Sequence, residues 1–183
     1  MGSPKAMLPI TPGCTLLEAH IRVARGRCSG IAVVEGAVPL AALLGPEDHL
    51  VRNPGWSSTG PFESLQCAAR ALSALPGPLL ITPVDSPPAR GEDLDALLAA
   101  SGAAGAGAAT VLSWRGRPGH PVLLPASLRV RLERGPAPTD GLRGLLRGAR
   151  QVEASTPDVL LNLNTPGQWS DWLAGRSDQG STV

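Results

Sequence analysis

Short β-rich runs alternate with helical segments along most of this chain, and this alternation restricts the fold more than any other feature. Residues 79–82 form a continuous apolar run between prolines, which indicates a strand buried on both faces. Thr15 and Glu18 are spaced as a capping box ahead of an apolar stripe, which predicts a helix over residues 16–25. The alternation predicts an α/β fold with a mostly parallel sheet and crossover helices.

The same criteria predict the remaining elements. Further helices are expected at residues 61–75, 92–100, 142–147 and 168–173, with a short one at 40–44. Further strands are expected at residues 31–34, 110–114, 122–124 and 159–163. The Gly/Ala-rich segment 101–107 is expected to be a loop, so residues 1–175 form one domain and residues 176–183 a flexible tail.

The composition is that of an ordinary single-domain protein. With 183 residues, 43% hydrophobic and 17% charged, the chain can build one sizeable core. A formal net charge of +1 gives no electrostatic reason to expect a nucleic-acid or membrane partner. The sequence has no recognisable export signal or spanning helix, so a cytoplasmic protein is expected.

Cys14, Cys28 and Cys67 are scattered and odd in number, which predicts reduced, buried thiols rather than disulfides or a zinc site.

Lys5 is the only lysine among the 16 basic residues. The bias toward Ala, Gly, Pro and Arg reflects coding preference, and a lysine retained against it is a candidate for chemistry. A chance surface position is the equal alternative.

Asp85 follows the predicted strand at residues 79–82 and stands in a proline-flanked segment. In parallel α/β sheets ligands bind beyond the carboxyl ends of the strands, so this carboxylate is expected to face the ligand crevice. A carboxylate on stiff backbone suits Mg²⁺, whereas the alternative is an Asp that caps the next turn.

Asn162 and Asn164 end the last predicted strand. Strand alternation would place both side chains on one side, where amide oxygens suit Mg²⁺ beside a carboxylate. The alternative is that both amides satisfy the backbone of a local turn.

Two loops are further candidates. Gly119 and His120 lie with two arginines just before the strand at 122–124, a composition that suits an anionic substrate. His120 can instead be a turn residue packed for shape. The Asn53–Trp56 loop, followed by Gly60 at a predicted helix start, either holds a base or ribose edge or is an ordinary loop.

Seven segments occur in an order that resembles the MobA-like nucleotidyltransferases, especially the molybdenum cofactor cytidylyltransferases and guanylyltransferases. These segments are MGSPK, TLLE, NPGWSSTG, PVDSP, GRPGHPVLL, GLRGLL and NLNTP, and they span almost the whole chain. The resemblance implies a three-layer, Rossmann-like nucleotidyltransferase fold. It implies transfer of a nucleoside monophosphate from CTP or GTP to a phosphorylated acceptor such as molybdopterin cofactor, with Mg²⁺ as cofactor.

The resemblance also implies a role for individual residues. The catalytic pair would be Lys5 and Asp85. Nucleotide would contact Lys5, Asn53, Gly60 and Asp85, and acceptor would contact Gly119, His120 and Arg143. The metal ligands would be Asp85, Asn162 and Asn164. Two alternatives remain: a non-catalytic family member that binds nucleotide, cofactor or a partner protein, and a sugar-phosphate nucleotidyltransferase.

The sequence departs from the family pattern at two places. The family start reads approximately LAAGxSxRMGxPK, and here the LAAGxSxR half is absent, so the first strand and its glycine turn are expected to be missing from the fold. Either the natural protein begins upstream, with Met1 as the internal Met of that motif, or the sheet is rebuilt. The final motif reads TPGQW where the family commonly has TPED, so Gly167 and Gln168 replace two acidic residues.

Overall fold

The structure is a computed structural model and describes residues 4–103 and 107–177. The helices are α1 (Leu16–Ala24), α2 (Pro61–Ala71), α3 (Gly91–Ala103), α4 (Ala126–Arg134), α5 (Leu142–Leu145) and α6 (Pro166–Ser177). The strands are β1 (Pro9–Thr11), β2 (Cys14–Thr15), β3 (Ile31–Glu35), β4 (Asp48–Arg52), β5 (Leu79–Ile81), β6 (Thr110–Trp114), β7 (Arg117–Leu124) and β8 (Arg150–Glu153). Single 3₁₀ turns lie at Lys5–Met7, Ala41–Leu43 and Pro157–Leu160.

The α/β class is confirmed, but the sheet is mixed rather than mostly parallel. The four-stranded sheet has the order β5-β7-β6-β8, in which only the β6–β8 pair is parallel. The cause is the tight turn at Arg115 and Gly116, whose φ angles of 50° and 74° are those of a hairpin turn. Such a turn returns β7 antiparallel to β6, and β5 then pairs antiparallel with β7.

Two helical layers cover the four-stranded sheet. On one face, Val111, Val122 and Leu124 pack with residues of α2, α4 and α5. On the other face, Leu112 and Leu123 pack with α3 and the Pro157–Leu160 turn. Neighbouring residues of one strand therefore serve opposite faces, as strand alternation requires.

Strands β3 and β5 belong to separate sheets. Strands β3 and β4 form a separate parallel pair, and within the described residues no strand joins β3 to β5. A crevice of about 2160 Å³ lies between these two strands. This crevice, lined by β3 and β5, is called the sheet gap below.

Most predicted elements are confirmed, and the differences have local causes. The predicted strand at 159–163 is wrong: Pro157–Leu160 is a 3₁₀ turn, and its apolar residues pack on the sheet instead of pairing with it. A short apolar run cannot distinguish these two outcomes by periodicity. Prediction from the sequence missed α4, β4 and β8. The two strands are mostly exposed and carry little apolar pattern, whereas α4 buries Leu128, Arg129 and Leu132.

Two expectations fall partly outside the described residues. The expected tail at 176–183 overlaps α6, which runs to Ser177, and residues 178–183 lie outside the described part of the chain. Of the expected loop at 101–107, helix α3 takes the first residues and 104–106 are not described. No helix in the described ranges combines the length and the apolarity needed to cross a membrane.

Candidate active site

Lys5, Asp85 and Asn164 come together although they are far apart in the sequence. The Lys5 Nζ lies 3.3 Å from Asp85 Oδ2 and also donates a hydrogen bond to Asn164 Oδ1. The carboxylate is one-third exposed, so the pair is open to solvent on one side. The Lys5 ammonium therefore bridges a carboxylate oxygen of Asp85 and the amide oxygen of Asn164.

Asp85 is held by the loop that follows β5. The Ser86 hydroxyl donates to the Pro83 carbonyl at 2.7 Å, and the Ser86 backbone N–H donates to the same oxygen at 3.2 Å. The Asp85 carbonyl accepts a hydrogen bond from the Leu163 N–H at 2.6 Å. This last bond ties the Asp85 loop to the segment that carries Asn162 and Asn164.

His20, on α1, supports the same loop by hydrogen bonding on both of its ring nitrogens. Its Nε2 lies 2.9 Å from the Ser86 carbonyl and its Nδ1 lies 3.2 Å from the Thr82 hydroxyl. Since a carbonyl only accepts, Nε2 carries the proton and Nδ1 accepts from Thr82. Burial lowers the His20 pKa to about 4, although the Ser86 hydrogen bond and the Asp85 charge oppose that shift. The His20 imidazole is therefore neutral, and it supports the Asp85 loop through its two hydrogen bonds.

Asn162 and Asn164 occupy an irregular segment rather than a strand end. Both line a cavity of about 610 Å³ beside α6, and Asn162 also lines the sheet gap. The Gln168 side-chain oxygen accepts from the N–H groups of Asn164 and Thr165, at 2.9 and 3.0 Å. Gln168 therefore orders this segment by hydrogen bonding that does not require an acidic side chain.

Gly119 and His120 lie on β7, facing the sheet gap. A Cβ on Gly119 would clash with the Val159 carbonyl, so glycine is required for the close approach of β7 to that turn. Burial lowers the pKa of the His120 imidazole, and the Asp85 carboxylate opposes the shift. Its Nδ1 is buried and has no hydrogen-bond partner within the described residues. A buried polar atom in this state suits contact with a ligand.

Asn53 does not point into the crevice. Its Nδ2 donates to Thr59 and Ser64, and its Oδ1 accepts from the Gly55 N–H at 3.0 Å. The amide is therefore occupied in shaping its own loop. That loop presents Gly60 and the half-exposed Trp56 to the crevice.

Arg143 is exposed on α5 and lines the same crevice. Gly60 is the N-cap of α2, and its N–H donates to Glu63 Oε2 at 3.0 Å. These residues lie around the crevice, whereas the Lys5 side chain contacts both Asp85 and Asn164 directly.

A metal at this place would depend on few protein ligands. Within residues 4–103 and 107–177, no group of three or more His, Cys, Asp or Glu side chains is arranged to hold an ion. The available donors are the Asp85 carboxylate and the amides of Asn162 and Asn164. Hard oxygen donors of this kind, completed by water and phosphate, fit Mg²⁺.

Two supporting features, the His20 contacts and the Thr165–Gln168 cap, were missed although the sequence carries a signal for each. His20 lies three and four residues from Leu17 and Leu16, so helical periodicity places it on the buried stripe of α1. Thr165 and Gln168 have capping-box spacing, and the Gln168 N–H does donate to Thr165 Oγ1 at 3.2 Å.

Comparison with known proteins gives one family and one group of structures. A family model described as MobA-like NTP transferase domain matches residues 1–155. A nucleotidyl transferase from Methanothermobacter has 25% identity and a TM-score of 0.74, covering 96% of this chain and 86% of that one. No curated protein matched the sequence.

Two further solved structures share the fold at lower identity. A manganese complex of the Rv0371c protein from Mycobacterium tuberculosis has 20% identity and a TM-score of 0.73, covering 94% of this chain and 93% of that one. Molybdopterin-guanine dinucleotide biosynthesis protein A from Archaeoglobus fulgidus has 16% identity and a TM-score of 0.59, covering 97% of this chain and 92% of that one.

Proposed function

Because the chain belongs to the MobA-like NTP transferase family, we propose that it transfers a nucleoside monophosphate from CTP or GTP to a phosphorylated acceptor such as molybdopterin cofactor. A cytoplasmic location fits such a reaction and stays an expectation from the sequence. The observation that carries the proposal is the meeting of Lys5, Asp85 and Asn164. They are separated by 80 and 159 positions along the chain and are brought to one point by the fold.

Asp85, with Asn162 and Asn164, would hold a divalent cation such as Mg²⁺. Support comes from the Lys5 ammonium, which donates hydrogen bonds to oxygens of both Asp85 and Asn164 and so marks where these groups can share a positive charge. Bound there, the ion would neutralise phosphate charge. The manganese in the mycobacterial complex is compatible with such an ion, at a fold-level similarity only.

Lys5 would contribute its charge to the triphosphate. An acceptor phosphate oxygen bonds to the α-phosphorus while the bond from that phosphorus to the β-phosphate bridging oxygen breaks, and pyrophosphate leaves with the electron pair. The ammonium neutralises charge on the phosphate oxygens and the loops hold the reactants in line. A phosphate nucleophile is already ionised at neutral pH, so the reaction needs no general base.

Gly119, His120 and Arg143 would form the acceptor side. The buried His120 Nδ1 has no partner among the described residues and is available to an acceptor oxygen or a bound water. The exposed Arg143 guanidinium suits an acceptor phosphate. Asn53 and Gly60 would act on the nucleotide side by shaping the loop that carries Trp56.

One observation favours the alternative of a binding protein that transfers nothing. The sheet gap opens next to Asp85, so the candidate site is not backed by a continuous sheet. A protein that binds nucleotide without aligning it for attack would have this property.

The two functions are distinguished by whether the protein transfers a nucleoside monophosphate covalently to the acceptor. The chain, and a version extended upstream, are incubated with α-³²P-labelled CTP or GTP, Mg²⁺ and molybdopterin cofactor, and label in the acceptor is measured. Transfer by either version supports the proposal, and the preferred label identifies the nucleotide. Saturable binding of nucleotide without transfer by either version would establish the binding role instead.

A further inference from the structure

The Lys5 ammonium contacts two of the three side chains to which a divalent ion is assigned above. It donates to Asp85 Oδ2 at 3.3 Å and to Asn164 Oδ1. A Mg²⁺ ion bonded to these oxygens would lie about 2 Å from each of them. The ion and the ammonium would then be close neighbours and would repel one another. With Lys5 in this position, the two cations therefore compete for the same oxygens.

The Asp85 carboxylate carries a single negative charge, which the Lys5 ammonium balances. His20 and His120 both respond to the Asp85 charge, but burial lowers the pKa of each imidazole, so both rings are neutral at pH 7. The Asn164 amide is neutral as well. A divalent ion that arrived alone beside Lys5 would thus add positive charge that this carboxylate cannot balance.

The Lys5 side chain can change partners while its backbone stays in place. The next residue, Ala6, is buried and packs in a cluster with Leu17 and Val33. The Lys5 carbonyl accepts a hydrogen bond from the Leu8 N–H at 3.1 Å. The side chain itself is partly exposed, and a lysine ammonium lies at the end of a flexible four-carbon stem. Only the side chain therefore has to move for the ammonium to leave Asp85.

A triphosphate is the ligand that can move it. An ion pair with this much exposure contributes little net stability, so it is easily exchanged for a stronger one. Phosphate oxygens form strong charge-assisted hydrogen bonds with an ammonium group. A triphosphate also brings several negative charges, which balance a divalent ion and Lys5 together.

We infer that Lys5 is an internal counter-ion that keeps a free divalent ion away from Asp85 and Asn164 until a triphosphate draws the ammonium onto its own oxygens. The divalent ion therefore enters with the nucleotide and not ahead of it. This order of binding rests on the proposed function and adds a control step to the same site.

The first test measures binding of Mn²⁺ alone, from the electron paramagnetic resonance signal of the free ion. Lys5→Met keeps a side chain of similar length without the charge, and it should bind Mn²⁺ about tenfold more tightly than the parent or better. Arg22→Met is the matched control: it removes an exposed cation from α1 and should stay within about twofold of the parent. Melting temperatures check that each variant is folded.

The second test measures binding of Mn²⁺–CTP and Mn²⁺–GTP to the same proteins. Lys5→Met should weaken the tighter of the two complexes about tenfold, because the triphosphate loses its ammonium partner. Opposite effects on the free ion and on the nucleotide complex support the inference, since damage to the structure would weaken both. Weaker or equal binding of Mn²⁺ alone by Lys5→Met would overturn it, as would unchanged binding of the nucleotide complex.

Asp85→Asn, alone and combined with Lys5→Met, separates this inference from the proposed function. The tighter Mn²⁺ binding of Lys5→Met should disappear in the double variant. If it persists, Mn²⁺ binds elsewhere, and both the counter-ion role of Lys5 and the metal role of Asp85 are wrong. If Asp85→Asn weakens Mn²⁺ binding but Lys5→Met does not strengthen it, only the counter-ion role is overturned and the metal site stands.

Discussion

At the residue scale, the candidate site depends on one partly exposed carboxylate, that of Asp85, and on the groups that hold it in place. Asp85 is positioned by its own loop, by the neutral His20 brace beneath Ser86, and by the backbone bond to Leu163. Its charge is met by Lys5. Binding and support are therefore carried by different residues, and substitutions can separate them.

Asp85→Asn should lower turnover about 100-fold or more while the protein stays folded, because a neutral amide has no charge to balance the Lys5 ammonium and cannot replace an anionic metal ligand. The measurement is label transfer at saturating nucleotide in the active version of the chain, with the melting temperature as a check of folding. Asp95→Asn is the matched control, since that exposed carboxylate pairs with Arg27 on the surface. Unchanged turnover in Asp85→Asn would remove this residue from the metal site.

His20 should make the fold acid-sensitive. The folded state keeps this imidazole neutral down to about pH 4, whereas the unfolded chain takes up a proton below about pH 6.5. Unfolding free energy should therefore fall as pH drops through this window, with up to about 3 kcal/mol from this group, and level off below it. In urea titrations across that range, His20→Gln should be less stable at pH 7 but show a flatter pH profile than the parent.

His49→Gln is the matched control for this experiment, because it removes an imidazole from an exposed position instead of a buried one. A His20→Gln profile as steep as that of the parent would show that other groups cause the acid sensitivity.

At the element scale, close backbone contacts decide where the site residues lie. β7 approaches the Pro157–Leu160 turn so closely that Gly119 has no space for a Cβ. At the other end of that segment, the Thr165 and Gln168 bonds start α6 and fix Asn164. The Asn162–Asn164 segment is therefore anchored at both ends without belonging to a strand.

Gly119→Ala should destabilise the protein by about 1–3 kcal/mol, because the new methyl group must push β7 and the Val159 carbonyl apart. Gly175→Ala in α6 is the matched control: the space around it is open, and alanine in a helix should be neutral or stabilising by up to about 1 kcal/mol. Denaturant unfolding of both variants measures the difference. Equal stability of Gly119→Ala and the parent would mean that the two segments separate freely.

At the scale of the whole molecule, the break in the sheet divides the apolar interior. The cluster of Ala6, Leu17, Ile21 and Val33 surrounds one side of β3, whereas the larger clusters pack on the four-stranded sheet. Helices α1 and α2 connect the two parts across the sheet gap. The cooperativity of the molecule therefore depends on helix packing where a continuous sheet would have backbone hydrogen bonds.

The β3 amides of this chain should exchange at least about 100-fold faster than those of β6, because among the described residues β6 is paired on both edges and β3 on one. Hydrogen exchange followed by mass spectrometry of peptides from both strands measures this ratio. Equal protection of the two strands would show that the molecule opens only as one unit.

Local chemistry was enough to predict much of this protein from its sequence. The Thr15–Glu18 capping box, the Pro61 helix start and the apolar run before Asp85 depend on near neighbours, and all three form as predicted. The order of motifs indicated the family.

Only the tertiary structure decided which distant groups meet. The pairing of Lys5 with Asp85 and Asn164, the Gly119 contact with Val159 and the edge strand β8 depend on contacts between residues far apart in the chain. The segment at 159–163 shows the limit of prediction: its apolar residues are buried as expected, but burial against a sheet and pairing within it produce the same pattern. Local sequence sets which residues are buried, whereas the partner of each backbone and side-chain group is set by the packing of the whole chain.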